Sequence, residues 1–343
     1  MFSAYIRIIL CAIFMLSTTA AMANTAASEV NVYSARKEAL IKPLLDRFTQ
    51  ETGIKVNLVT GKADALLKRL ETEGRNTPAD MLITTDAGRL YRAQQADVLQ
   101  AIQSKTLEQV IPANYREPAG YWYGLSVRAR PIFFAKDRAK ASDLSSYEQL
   151  ADQRFKGQIC IRSSNNIYNQ SLVASMIKAN GVEKTEQWAK NLVKNMARPP
   201  RGGDRDQIRA AASGQCNIAI ANTYYFGAMM AGKKQKDRTA ASKMALFWPN
   251  QDTRGTHVNI SGAGITKHAK HRTNAILLLE FLANKSSQKW YAETNHEYPV
   301  RNDVEASALL KSWGNFKSDA VNLSILGQYN SEAVKVMDRA GWK

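Results

Sequence analysis

Asn217-Ile-Ala-Ile-Ala-Asn-Thr-Tyr-Tyr-Phe-Gly227 is the stretch on which the reading of the fold turns. An apolar run ending at Asn222, followed by residues able to open a helix, is the strand-to-helix joint of an α/β chain. Its tyrosines, Tyr224 and Tyr225, are adjacent. Successive side chains diverge on a regular strand and on a regular helix, so the two rings converge only where the backbone breaks. A strand to Asn222 and a helix from near Tyr225 would supply that break. Tyr168 sits in a comparable setting in Arg162-Ser-Ser-Asn-Asn-Ile-Tyr-Asn169. Phenolate is a hard, anionic oxygen donor and suits hard cations, whereas thiolate and imidazole suit softer ones. Ordinary interior packing is the alternative use of these rings.

The same alternation extends in both directions. Residues 30–33 read as a strand, and residues 36–52 as a helix with Leu40, Ile41, Leu44, Leu45 and Phe48 on one face, ended by Gly53. Strand 54–59, helix 63–74 and strand 81–84 follow, and residues 123–134 are β-rich. The pattern recurs over residues 126–250, with strand 158–161, helices around Leu172 and Trp188, a break at Pro199-Pro-Arg-Gly-Gly203 and a short helix from Asp204. Residues 256–265, with Ser261-Gly-Ala-Gly264, read as a returning strand, and 275–283 as an apolar helix. A lobe interrupted by another lobe results. The first comprises residues 24–125 and 256–305, the second 126–255 and 306–343, with two crossover strands as the hinge. Ligands prefer such interdomain clefts.

Residues 1–23 combine an arginine, an apolar run over residues 8–16 and a small-x-small ending, the form of a secretory signal cleaved after Ala23. The run is too short to span a bilayer, and Cys11 lacks the context of a lipoprotein site. An exported, soluble chain that is not inserted in a membrane is expected. About 320 mature residues exceed one comfortable core and call for two lobes. Cys160 and Cys216 remain after cleavage, and an even pair in an exported protein suggests a disulfide, two buried thiols being the alternative. The bond would close a loop of roughly 55 residues and contribute on the order of 4 kcal/mol. The formal charge of +17 raises nucleic-acid binding, but the basic residues are spread along the chain with no nucleic-acid-binding motif beside them. A solvated basic surface or attraction for an anionic ligand accounts for them.

Taken together, Val32-Tyr-Ser-Ala-Arg36, Glu51-Thr-Gly-Ile-Lys-Val56, Thr77-Pro-Ala-Asp-Met-Leu-Ile-Thr84, Ile161-Arg-Ser-Ser-Asn-Asn-Ile-Tyr-Asn-Gln-Ser-Leu172 and Ala221-Asn-Thr-Tyr-Tyr-Phe-Gly227 resemble the periplasmic ferric-ion-binding proteins of bacterial ABC transporters. That family has the transferrin-like, two-lobed type II solute-binding fold. The resemblance implies that Tyr168, Tyr224 and Tyr225 bind Fe(III) directly. Three phenolates balance a ferric charge, and the cation would draw their pKa values far below the usual value near 10. Part of the family places a histidine, or histidine and tyrosine, after the first strand. This chain has Lys37 and Glu38 there, and its histidines (His257, His268, His271 and His296) all lie late. The implied ligand set is therefore three tyrosines completed by an anion, carbonate or bicarbonate.

Arg36 and Arg128 are the candidates for holding that anion, with surface ion pairing as their alternative. Tyr33 is a candidate for a supporting position or for packing at the strand end. Glu38 is a possible extra ligand or a helix-start partner. Ser163-Ser-Asn-Asn166 would donate to the site or cap the following helix. The implied activity is capture and handover without catalysis, by a monomer in the periplasm whose partner is an inner-membrane ABC permease with a cytoplasmic ATPase. Rival readings are a type II binding protein for an oxyanion, thiamine or a polyamine, and an exported metalloenzyme. The last would need histidine or carboxylate clusters that do not occur as motifs, and no Gly-x-Ser-x-Gly marks a hydrolase.

Overall fold

In the computed structural model, residues 28–343 are described. The expected export signal, its cleavage after Ala23 and Cys11 lie outside the described residues. The first half runs β1 (Glu29–Ser34), α1 (Lys42–Thr52), β2 (Lys55–Thr60), α2 (Ala63–Glu73), β3 (Met81–Thr85), α3 (Ala87–Gln95), β4 (Leu99–Gln100), α4 (Lys105–Val110), β5 (Tyr123–Ala129) and β6 (Ile132–Ala135). Then come β7 (Ile159–Cys160), α5 (Ile167–Asn180), α6 (Val182–Asn195), α7 (Asp204–Ala212), β8 (Ile218–Ile220), α8 (Thr223–Ala231), α9 (Gln235–Ser242), β9 (Met244–Phe247) and β10 (Val258–Thr266). Five helices close the chain: α10 (Arg272–Leu282), α11 (Lys285–Thr294), α12 (Ala308–Lys311), α13 (Ser324–Gln328) and α14 (Asn330–Arg339). Among the described residues, no helix is long and apolar enough to cross a membrane.

Two sheets organise these elements. The first has the order β2-β1-β3-β10-β4, with β5 also paired to β10. Strands β1, β2 and β3 are parallel, and β10 runs antiparallel to its three neighbours. The second sheet has the order β7-β8-β6-β9. The chain leaves the first sheet at Ala129 and enters the second at Ile132, so the β-rich run is two strands in different sheets. Arg130-Pro131 makes the break, because proline has no N–H to continue a ladder. The return passage lies between β9 and β10.

The expected helix from residue 36 starts later. A short 3-10 turn, Glu38–Leu40, precedes α1, and Pro43 stands in the first turn of α1. Proline belongs at a helix start, where its missing N–H costs nothing, and not in an interior. Leu44, Leu45 and Phe48 of α1 are buried as the periodicity requires. Cys160 and Cys216 form a disulfide, with Cα atoms 6.0 Å apart. It ties β7 to the approach of β8, so the joints before Tyr168 and before Tyr224 are held side by side. The closing segment spans both sheets' helices: α13 packs against α3 and against α5.

Candidate metal centre

Each of the three tyrosines stands in the first turn of a helix that follows a strand of the second sheet. Tyr168 is in α5, whose N-cap Asn166 accepts the Tyr168 N–H at 3.1 Å. Capping is thus the role taken by the Ser163-to-Asn166 loop. Tyr224 and Tyr225 are both in α8, which starts at Thr223 with Asn222 as its N-cap. The backbone break therefore precedes both tyrosines and does not fall beside Tyr225. Their rings still meet, with centroids 4.2 Å apart and planes at 36°. The Tyr224 hydroxyl donates to the Tyr168 hydroxyl at 3.2 Å. The N-terminal ends of two helices, which favour negative charge, thus meet at one cluster of phenols.

A buried polar network sets this geometry. Arg130 donates through Nη1 to Asp204 Oδ2 and to Asn222 Oδ1, both at 2.9 Å, and through Nη2 to Asn169 Oδ1 at 2.6 Å. Asp204 also accepts the Asn222 N–H at 2.8 Å, and Asn169 donates to the Arg162 and Ser163 carbonyls at 2.7 and 3.1 Å. One guanidinium, fixed at the passage between the sheets, therefore locks the starts of α5, α7 and α8 together. The Arg130 and Asp204 side chains are 1% and 0% exposed, so neither can lose the other cheaply.

The first sheet presents two arginines to the phenols. Arg128, on β5, lies with its guanidinium carbon 6.0 Å from the Tyr168 ring centroid and 5.8 Å from that of Tyr224. It donates to Ser261 Oγ at 2.8 Å, and its buried Nε and Nη1 have no hydrogen-bond partner. Buried donors of this kind are rare without a reason, and a planar anion would use them. Arg36 donates to Ser261 at 2.5 Å and to Glu297 at 2.9 Å. Glu297 also accepts from Ser126 at 2.6 Å. Burial pushes the Glu297 carboxyl up, but Arg36 and Arg128 outweigh it and hold the group below the usual carboxylate range. The register of β5 against β10 shifts between Ser261 and Gly262, where a Cβ on Gly262 would stand 2.6 Å from the Tyr123 carbonyl oxygen. Glycine is required by that approach, and the irregularity lies beside the serine shared by the two arginines.

Tyr224 and Tyr225 are set against ionisation. Burial, then the neighbouring Tyr168 and Tyr225, push Tyr224 well above its ordinary value, against the pull of Arg128. Burial, Tyr168 and Asp204 push Tyr225 upward in the same way, with Arg162 opposing. Without a cation they are neutral phenols. A multivalent cation would reverse the sign, because its own charge is the largest in the site.

Two of the expected residues stand apart. Tyr33 follows Val32 on β1, and alternate strand residues face opposite sides, so its ring enters the layer of Leu66, Leu70 and Leu82. Its hydroxyl donates to Glu73 at 2.9 Å, and burial with that carboxylate pushes it up to about 12. Of its two candidate roles, packing at the strand end is the one this environment matches. Glu38 is exposed at the opening of its 3-10 turn, outside the hydrogen-bonded cluster. Conversely, Ser261, Glu297, Arg130 and Asp204 were not legible as site residues, since a buried charge and a surface charge look alike in sequence. His296 also reaches α8: a Cβ on Gly227 would stand 2.7 Å from the His296 Cβ. Burial lowers the His296 pKa. Among the described residues no three His, Cys, Asp or Glu side chains gather where they could hold a metal ion.

Residues 76–317 match the family of bacterial extracellular solute-binding proteins. The chain belongs to that family. This solute-binding protein is 46% identical over 315 residues to iron uptake protein A1 of Synechocystis sp., spanning 92% of this chain and 88% of the relative. A Trichodesmium protein (IdiA, FutA), solved in complex with iron and citrate ligands, superposes with a TM-score of 0.90 at 49% identity, covering 92% of this chain and all of that one. The ferric binding protein of Campylobacter jejuni superposes with a TM-score of 0.87 at 40% identity over 92% of this chain and 100% of that one. The fold is the two-lobed, α/β type II periplasmic binding fold.

Proposed function

We propose that this solute-binding protein captures Fe(III) in the periplasm and delivers it to an inner-membrane ABC permease driven by a cytoplasmic ATPase. Tyr168, Tyr224 and Tyr225 would supply three phenolate ligands, and a carbonate or bicarbonate held by Arg36 and Arg128 would fill further positions. The observation that carries this reading is the meeting of three phenols under a buried arginine with two unpartnered donors. The iron uptake and ferric binding relatives support it. Residues 24–125 with 256–305 would form the lobe presenting Arg36, and 126–255 with 306–343 the lobe carrying the tyrosines; Arg128 lies just past that boundary in sequence, but on β5 it is paired into the first sheet with Asn259 of β10. Iron would meet the tyrosines first, and hinge closure would then bring the arginines over it and exclude water. The role is carriage, without turnover.

The test is metal analysis of the mature chain after exposure to Fe(III) and bicarbonate, alongside assays with oxyanions and hydrolase substrates. One tightly held iron, abolished in the Tyr168→Phe, Tyr224→Phe, Tyr225→Phe triple variant, is the expected result. A chain that holds no iron but binds an oxyanion would overturn it.

A further inference from the structure

Asp86, at the joint between β3 and α3, is fully buried at a backbone φ of 84°. A residue other than glycine seldom adopts that conformation, and the strain persists only where the surrounding structure imposes it. Capping of α3 does not impose it. Asp86 accepts the Gly88 N–H at 2.9 Å, but Ser104, Asn166, Asn284 and Ser307 cap their helices from ordinary extended backbone. Pairing of charge does not impose it either. Asp204 is buried against Arg130, whereas Asp86 Oδ2 is buried without a hydrogen-bond partner.

What the strained joint achieves is a contact between the two sheets' helices. Ser171, buried on α5, donates to Asp86 Oδ1 at 2.7 Å. Ser171 is three residues on from Tyr168, and side chains at that spacing are neighbours on one helix face. The helices also approach here: a Cβ on Gly88 would stand 3.4 Å from Ile167 Cδ1 and 3.7 Å from Ser171 Oγ. On its own side, Asp86 is fixed to β10. Its N–H donates to the Ile260 carbonyl at 2.8 Å, and Asn259 Oδ1 accepts the Ala87 N–H at 2.9 Å. Asn259 is paired with Arg128 in the β5–β10 register, and Ser261 accepts from both Arg128 and Arg36. The strand that holds the arginines therefore also holds the carboxyl that grips the Tyr168 helix.

We propose that Asp86 is a positioning residue for Tyr168. Through Ser171 it sets α5 against the arginine-bearing strands and keeps the Tyr168 phenol in place while the cleft is closed over iron. Its consequence for iron rests on the reading above, but the contact can be tested without iron.

The test uses the full mature chain and two serine variants of one helix. Ser171→Ala removes the donor and leaves the cap and backbone of Asp86 in place. Ser175→Ala is the control, because its buried hydroxyl lies one turn on and donates to the Leu172 carbonyl of its own helix. In the iron-free protein, amide hydrogen exchange in the first two turns of α5 should be several-fold faster in Ser171→Ala than in the wild type or Ser175→Ala. After loading with Fe(III) and bicarbonate, Ser171→Ala should surrender iron to a chelator about tenfold faster, the worth of a hydrogen bond to a charged group. Its iron absorption band should shift as Tyr168 is displaced. Asp86→Asn, which keeps an acceptor at Oδ1, should fall between Ser171→Ala and the wild type. Wild-type exchange and release in Ser171→Ala would overturn the proposal, and so would equal effects from Ser175→Ala. Faster exchange with unaltered release and absorption would overturn the role assigned to the contact. A chain that takes no iron, yet exchanges faster in α5 of Ser171→Ala, would sink the iron reading and leave the contact standing.

Discussion

Tyr224 and Tyr225 are buried phenols pushed away from ionisation, although the helix start they share, and for Tyr224 the Arg128 guanidinium, pull toward phenolate. The conflict resolves when a hard cation displaces their protons. Iron affinity should therefore rise with pH between about 5.5 and 8, with up to about three protons released per iron. Competition titrations against a chelator of known pH dependence, paired with pH-stat measurements, check this; proton-independent binding would contradict it. The iron-free chain should behave oppositely at high pH. Both pKa values lie above the ordinary value near 10, so the folded state holds more protons than the unfolded one once pH exceeds about 10, and stability falls as pH rises through that range. Denaturant midpoints across alkaline pH would show the fall, and Tyr224→Phe, Tyr225→Phe should reduce it. Asp204→Ala, which strands the buried Arg130, should cost about 3–5 kcal/mol of stability, measured by chemical unfolding.

At the scale of elements, the tyrosine helices are positioned by what precedes them. The Cys160–Cys216 bond joins the strands that lead to α5 and α8, and its removal by Cys160→Ser, Cys216→Ser should cost about 4 kcal/mol. Gly227→Ala places a methyl group into His296 and should destabilise by about 1–3 kcal/mol. It should also weaken iron binding, because α8 carries Tyr224 and Tyr225; iron binding untouched in a destabilised variant would show α8 and His296 to be uncoupled from the site. The alternation of strands and amphipathic helices was legible because period-two and period-3.6 patterns are local. The joint at Asn222 was legible for the same reason, although α8 begins at Thr223, two residues before Tyr225. Pro43 displaced the start of α1, and Arg130-Pro131 divided one β-rich run between two sheets. Neither outcome can be read from hydrophobic period alone. The network of Arg130, Asp204, Asn222 and Asn169 was invisible for a different reason: it joins residues separated by up to 92 positions, and no local pattern marks a polar side chain as buried.

For the whole molecule, the chain passes between its sheets at Arg130-Pro131 and again between β9 and β10, while α13 bridges α3 and α5. If the lobes follow the two sheets, with Arg128 on β5 of the first, the arginines and the tyrosines come from opposite sides of one cleft. Iron binding should then close the molecule, and Arg128→Gln should impair closure and lower iron affinity by roughly 10–100-fold, as loss of a supporting residue at a metal site does. Small-angle scattering of iron-free and iron-loaded protein would register the compaction. The charge of +17 is spread along the chain, so it adds to a general attraction for anions without making a nucleic-acid surface. The most direct measurement is visible absorption during titration of Fe(III) into the mature protein with bicarbonate present. A tyrosinate-to-iron charge-transfer band that saturates at one iron per chain and is lost in Tyr224→Phe or Tyr225→Phe is the predicted result; a colourless protein of unaltered stability would contradict the account.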